Sequence, residues 1–231
     1  MLARAYYSCW RALIINVAKA GAPTYVVRKR GALMPSEKHM DEEKPERLER
    51  PEGIAEKLSF KSRFVLIFGE INQTMARTTC ERLIALAEDS DAPIRVLISS
   101  PGGHVESGDA IHDVIRFIKA PVTTIGTGWV ASAGTHIFLA ADKARRVCLP
   151  HTRFMIHQPA GGMGGPASDI EIQAKEILRT HERLARVIAK QTGQPYEKVY
   201  ADMDRDFWMS AKEAIDYGIV SRVVESHRDL S

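Results

Sequence analysis

The strongest constraint on this chain is an alternation that begins at Phe64. Short apolar runs take turns with segments whose apolar residues recur at helical spacing. Repeated β-α units bury both kinds of element at once, so the fold class is α/β. Phe64-Val65-Leu66-Ile67-Phe68-Gly69 reads as a buried strand, and Thr74 to Asp89 as a helix with Cys80, Leu83, Ile84 and Leu86 at core spacing. Ile94 to Ser99 is a second strand that runs into the turn Ser100-Pro101-Gly102-Gly103. Ser107 to Ile118 is a helix with Ile111, Val114, Ile115 and Ile118 on one face. Val122 to Ile125 is a third strand ending in Gly126-Thr127-Gly128, and a small-residue helix follows from about Val130. Arg146 to Leu149 and Arg153 to Ile156 are two further short strands, and Ile219 to Val224 is the last.

Asp169 to Gln191 is a long helix. Ser168 with Glu171 has the capping-box pattern, Ile170, Ala174, Ile177, Leu178, Leu184 and Ile188 form an apolar stripe, and Gly193 and Pro195 stop it. A stripe of that length packs against the body of the domain or against another subunit. Ser210 with Glu213 is a second capping box, opening a short helix that Gly218 closes.

The 231 residues, 45% hydrophobic and 26% charged, suit one globular domain plus an extension. The division expected is an extension and charged linker over 1–60 and a domain over 61–231. The net charge of +3 is too mild to argue for nucleic acid, and no run of 18 apolar residues could span a membrane. Cys9, Cys80 and Cys148 are odd in number and widely spaced, which reads as reduced, mostly buried thiols without a zinc site. The segment before Glu37 carries Arg4, Arg11, Lys19, Arg28, Lys29 and Arg30 and no acid. Three readings stand for it: an upstream start, with the working protein beginning at Met34 or Met40; a targeting or membrane-surface segment; or a disordered, partner-binding tail. Residues 37 to 58 are charged and contain proline, as a solvated linker would.

Several groups could carry chemistry. Ser132 lies in Gly126-Thr127-Gly128-Trp129-Val130-Ala131-Ser132-Ala133-Gly134, at a strand-to-helix junction where the helix dipole and outward amides favour developing negative charge. Position 130 is valine, so the segment is not the GxSxG elbow of the α/β-hydrolases. Taken by itself, the serine is equally a helix N-cap. His157, in Met155-Ile156-His157-Gln158-Pro159, follows an apolar strand, where α/β proteins place reactive groups, and an imidazole can act as a general base near neutrality. Its alternative is a half-buried structural histidine. Asp206 precedes the aromatic pair Phe207-Trp208, which could turn its carboxylate inward; its alternative is a surface acid in a charged loop. A serine nucleophile needs such a base, and the base needs such an acceptor. Gly102-Gly103 after a strand lets backbone amides face a developing oxyanion. His136, four residues beyond Ser132, and His104, beside Gly103, are rival bases, while His112 and His181 read as structure or surface. Gly161-Gly162-Met163-Gly164-Gly165 lacks the ending of a phosphate loop and reads as a mobile connection along which polypeptide could lie as an added strand.

Each signal is weak alone, but their order is specific. Ser-Pro-Gly-Gly, Ala-Ser-Ala-Gly, Met-Ile-His-Gln-Pro, Ser-Asp-Ile-Glu-Ile-Gln-Ala-Lys-Glu-Ile-Leu and Arg-Asp-Phe-Trp-Met-Ser-Ala-Lys-Glu-Ala follow one another as in the Clp protease proteolytic subunit, which the chain resembles from about Lys61 to Val224. The resemblance implies a crotonase-like fold of stacked β-α units with a protruding handle helix, Asp169 to Gln191, plus an irregular N-terminal extension. It implies a serine endopeptidase with Ser132 as nucleophile, His157 as base, Asp206 as acid, and the amides of Gly103 and Ala133 as oxyanion hole. It further implies no cofactor or metal in the chain itself, stacked heptameric rings closing a chamber, a tetradecamer in all, and an AAA+ Clp unfoldase that spends ATP to thread unfolded polypeptide in. The location implied is cytoplasmic, or an organelle should the basic N-terminus be a transit segment.

Trp129-Val130 stands where small or polar residues are expected and would narrow the substrate pocket, and His136 stands where an apolar or aromatic side chain is expected. These departures keep two other readings open: a ring-forming regulatory paralogue with weak activity of its own, and an acyl-CoA enzyme on the related crotonase scaffold.

Overall fold

The structure, a computed structural model, describes residues 51–162 and 164–230, with the backbone alone at Pro51 and Glu52. The acid-free N-terminal segment, Cys9, Met34, Met40, Met163 and most of the proposed linker lie outside the described residues. In chain order the elements are α1 (Pro51–Lys61), β1 (Phe64–Phe68), α2 (Gln73–Asp89), β2 (Ile94–Ser100), α3 (Val105–Phe117), β3 (Val122–Ala131), α4 (Ala133–Phe138), β4 (Arg146–Cys148), β5 (Arg153–Ile156), α5 (Ala167–Thr192), α6 (Tyr196–Asp202), β6 (Phe207–Ser210), α7 (Ala211–Tyr217) and β7 (Arg222–Val223), with short 3-10 turns at Lys143–Arg145 and His227–Leu230. No helix among the described residues is long and apolar enough to cross a membrane.

The expected β-α alternation is present. Parallel pairing runs in the order β1-β2-β3-β4-β7, and β5 also joins β3 in parallel, with β6 antiparallel beyond it. Parallel strands need crossovers, which α2 and α3 supply. Ile94, Val96 and Ile98 of β2 are fully buried, each contributing roughly 1.5–3 kcal/mol of apolar burial. The first strand is not buried on both faces as expected: Val65 and Ile67 point into the core while Leu66 and Phe68 are about half exposed.

Strand β3 differs most from the sequence reading. Gly126-Thr127-Gly128 does not end it; the strand continues for ten residues, to Ala131, and the helix begins at Ala133 rather than Val130. The register against β2 jumps from Ile98↔Gly126 to Ser100↔Val130, so extra residues of β3 are accommodated in a bulge, where Gly128 takes φ 58°. Gly126 is tightly packed: a Cβ there would lie 3.0 Å from the Phe154 ring and 3.1 Å from the Thr152 methyl, so those side chains would have to give way. The bulge redirects the strand. Its first half pairs with β4 and its second half with β5.

Smaller differences have local causes. Pro51–Lys61 is a helix instead of linker: proline is tolerated in a helix's first turn, and Lys61 suits the last turn. The long helix starts at Ala167 behind Pro166, so Ser168 lies inside it and no Ser168 cap forms. Gly193 closes it in the left-handed region as expected, and the Ser210–Glu213 capping box and the Gly218 C-cap are both present. Cys80 is half-buried and Cys148 buried, both as free thiols.

Between α1 and β1, Arg63 has φ 57° and is almost fully buried. Its Nη2 donates to the carbonyls of Leu86, Ser90 and Ala92 at 2.8–2.9 Å, and Nη1 to Asp89 at 3.1 Å, which ties off the C-terminus of α2. Arg63→Ala would strand these carbonyls. It should lower the unfolding free energy by roughly 2–4 kcal/mol, read as an earlier urea midpoint, and Arg63→Lys should recover less than half because an ammonium cannot serve the same fork.

Candidate active site

The strand pairing carries three side chains to one place. β3 and β5 are parallel, with Ala131 opposite Met155, so the residues after them, Ser132 and His157, leave the sheet at the same end. β6 is antiparallel to β5, with Ile156 opposite Phe207, so Asp206 enters β6 beside the point where His157 leaves β5. His157 Nε2 lies 2.8 Å from Ser132 Oγ, and its Nδ1 lies 2.9 Å from Asp206 Oδ1. These bonds join residues 25 and 49 positions apart in the sequence. The consistent tautomer has Nδ1–H donating to the carboxylate and Nε2 accepting from the hydroxyl.

Ser132 is held in a sparsely populated backbone state, φ 55° and ψ −122°. Such a residue costs of order 1–3 kcal/mol and persists when its surroundings over-determine it. Here its N–H donates to the Met155 carbonyl at 2.9 Å, and its carbonyl accepts from the His136 N–H at 3.1 Å. The buried Thr135 hydroxyl reaches the Val130 and Met155 carbonyls at 2.8 and 2.9 Å, pinning the same turn to both strands. Thr135 was not singled out from the sequence, where its pattern is that of any small helical residue. Ser132 does occupy the N-cap position of α4, yet its side chain makes no capping bond, which leaves Oγ to the imidazole. The segment therefore makes a strained strand-turn-helix without the GxSxG pattern.

The tandem glycines pack against this turn. Gly102 has φ 98°, and a Cβ on it would sit 2.6 Å from the Ser132 Cβ. The Gly102 carbonyl accepts from Ile71 N–H and the His104 N–H donates to the Ile71 carbonyl, both at 2.8 Å. Alternation along an extended backbone then turns the intervening Gly103 N–H away from Ile71. Ala133 N–H is the first amide of α4, at the positive end of its backbone. Neither amide has an acceptor among the described residues.

The rival histidines are engaged elsewhere. His104 Nδ1 lies 2.9 Å from Ser107 Oγ and its Nε2 3.2 Å from Glu106. His136 is buried, lies 2.9 Å from Asp109 and stacks on His112, ring centroids 4.4 Å apart. His181 is buried against Tyr200. Burial alone would raise the Asp109 carboxyl, but His136 and Arg183 more than reverse this and hold it well below the usual carboxylate range. Burial, then the His136 charge, lower the basicity of His112.

An apolar pocket opens beside Ser132 and His157, walled by Val105, Ala133, Ile156, Leu184 and Met203 together with His136. Trp129 and Val130 are not part of its wall, so they do not narrow it: Val130 is fully buried in the core, and Trp129 faces Trp208 on the surface. Pro159, Ala160, Gly161 and Gly162 face the Gly103–Glu106 segment across a second depression.

Comparison with known proteins agrees with this architecture. The Clp protease family model matches residues 47–227. The chain is 59% identical over 171 residues to the ATP-dependent Clp protease proteolytic subunit 3 of Rhizobium etli, covering 74% of this chain and 88% of that one. It is 60% identical over 173 residues to the ATP-dependent Clp protease proteolytic subunit 2 of Gluconobacter oxydans, covering 74% and 78%. The solved structure of ClpP1 from Listeria monocytogenes superposes with a TM-score of 0.70 at 51% identity, over 77% of this chain and 99% of that one. With its fold, its sequence and the strand ends that gather Ser132, His157 and Asp206 all pointing the same way, the chain belongs to the Clp protease family.

Proposed function

We propose that the chain is a serine endopeptidase, the proteolytic subunit of an ATP-dependent Clp-type protease, and that its peptidase domain spans residues 61–231. The observation that carries this reading is the continuous pair of hydrogen bonds from Ser132 through His157 to Asp206. Ser132 Oγ attacks a peptide carbonyl while its proton passes to His157 Nε2. Asp206 keeps the imidazole in the required tautomer and stabilises the imidazolium that forms. The Gly103 and Ala133 amides take the charge that develops on the carbonyl oxygen, a donor of this kind being worth about 3–4 kcal/mol of barrier. His157 then returns the proton to the leaving amine, and water, activated by the same imidazole, releases the acyl group. The acyl-CoA reading has no use for this hydrogen-bonded set, and a regulatory paralogue has no need to keep it formed.

Substrate backbone would lie between the Gly161-Gly162 edge and the Gly103–Glu106 segment, with a side chain in the apolar pocket. Assembly into stacked rings is supported by the apolar residues that α5 leaves outside: Ile170, Ile172 and Leu178 are 46–57% exposed. The chemistry proposed needs no cofactor or metal in this chain. A partner AAA+ unfoldase supplies the ATP-driven threading, and confinement in a chamber makes entry the source of selectivity. The location that fits this role is cytoplasmic.

Fluorophosphonate labelling tests the assignment. The full chain should be labelled at Ser132, and Ser132→Ala should abolish both labelling and hydrolysis of fluorogenic peptides; labelling that survives the substitution overturns the nucleophile. Asp206→Asn should keep the labelled site while lowering kcat by about three to four orders of magnitude, through the wrong imidazole tautomer. Gly102→Ala should slow labelling by about tenfold or more, because its new Cβ would press on the Ser132 Cβ 2.6 Å away and displace the attacking oxygen.

A further inference from the structure

The wall of the apolar pocket carries an ionisable side chain that the proposed mechanism does not use, His136. Its Nε2 lies 2.9 Å from Asp109 Oδ1, in direct polar contact, although the ring N–H direction falls outside hydrogen-bond alignment. Asp109 in turn is gripped through both oxygens by Arg183, at 2.9 and 2.7 Å. Asp109 belongs to α3, His136 to α4 and Arg183 to α5, so one carboxylate ties three elements together.

The neighbouring residue shows what is being tied. A Cβ on Gly108 would lie 3.1 Å from the Ala133 Cβ, so α3 touches the very first residue of α4. Consecutive residues of α3 thus hold the start of α4 in two places: Gly108 by allowing contact at Ala133, and Asp109 by holding His136 on the turn that follows. Ser132 and the Ala133 N–H stand at the head of α4, and Gly103 stands just ahead of α3. The separation of the two proposed oxyanion donors is set by how these helices dock.

We propose that Asp109 is a positioning residue for peptide hydrolysis: held by Arg183, it fixes His136 and with it the α4 segment that carries Ser132 and the Ala133 N–H, against the α3 segment that carries Gly103. The inference rests on the reading of Ser132 as nucleophile. Asp109 touches no reacting atom. Its bidentate hold on a guanidinium has the directional rigidity that positioning requires. His112, stacked within 9° on the His136 ring, backs it from the side of α3, with Asp113 3.1 Å from the His112 Nδ1.

The test uses the full chain in its native assembly. Asp109→Asn, Arg183→Gln and the double variant are compared with wild type by kcat and KM on a fluorogenic peptide, with active sites counted by fluorophosphonate titration. Asp109→Asn should lower kcat per titrated site by about tenfold or more, beyond any change in KM that follows from His136 lining the pocket. The double variant should be no slower than Asp109→Asn alone, because Arg183 acts through the carboxylate. Asp109→Glu should restore part of the loss. A purely structural role would instead reduce the number of titratable sites and leave kcat per site unchanged, and that result overturns the proposal. Should Asp109→Asn fail to fold, Arg183→Gln decides the matter, since it alters a side chain that is half exposed: kcat per site within about twofold of wild type refutes the proposal. Ser132→Ala in the same assay separates the two readings. Retained labelling there defeats the nucleophile itself, whereas lost labelling beside normal turnover in Asp109→Asn defeats positioning alone.

Discussion

The register of three strands determines the site. β3 and β5 run parallel with Ala131 beside Met155, and β5 and β6 run antiparallel with Ile156 beside Phe207. A one-residue slip in either pairing would flip every side chain to the opposite face. It would carry Ser132 or Asp206 away from His157 and expose Phe154 or Met209, both buried in the core. The same apolar burial that stabilises the sheet therefore also favours the register in which the hydrogen-bonded set forms.

That register depends on the bulge in β3. The bulge at Thr127–Trp129 lets the strand change partners and carry Ser132 to the head of β5. The backbone strain at Ser132 is the counterpart of this turn. It is offset by the Thr135 hydroxyl, which bridges the carbonyls of Val130 and Met155, one from each of the two strands being joined. Strain of this kind persists at a site when neighbouring packing leaves no room to relax, and Gly102, with its Cα against Ser132, closes the remaining side.

What could be read from the sequence divides along the range of the interaction. α2, β2, the long helix with its Gly193 stop and the Ser210–Glu213 cap depend on local periodicity and local hydrogen bonds, and these are written in the chain within a few residues. Ser132, His157 and Asp206 were each ambiguous on local grounds, and family resemblance rather than spacing joined them. The continuation of β3 past Gly126 was not legible, because the glycines that signal a turn also serve a bulge, and the choice is made by Phe154 and Thr152 packing on Gly126 from a later part of the chain. The short helix α6 and strand β6 were missed for a related reason. Arg205-Asp206-Phe207-Trp208 carries charge and aromatics without a clear period, and it becomes a strand through pairing with β5. His136 looked like a rival base because helical spacing puts it near Ser132. Its true partner, Asp109, lies on another helix where no local pattern points to it.

Chemistry and substrate contact are thus built from parts of unequal stability. The groups proposed to react hang on strand ends whose neighbours Val130, Ala131, Ile156 and Met209 are at most 3% exposed. The backbone that carries them is anchored in the core and belongs to the most stable part of the fold. The surfaces proposed to meet substrate and partner subunits are the Pro159–Gly162 edge and the first turns of α5, where apolar residues stand in solvent and few are buried. Such segments can shift or dock at little cost. Arg183 stands where α5 passes from its exposed half to its buried half, close to His181 and Ala185, which are packed against the body. A displacement of the outer half of that helix therefore has a short path to Asp109 and the head of α4, while the strand register that holds Ser132, His157 and Asp206 together stays fixed.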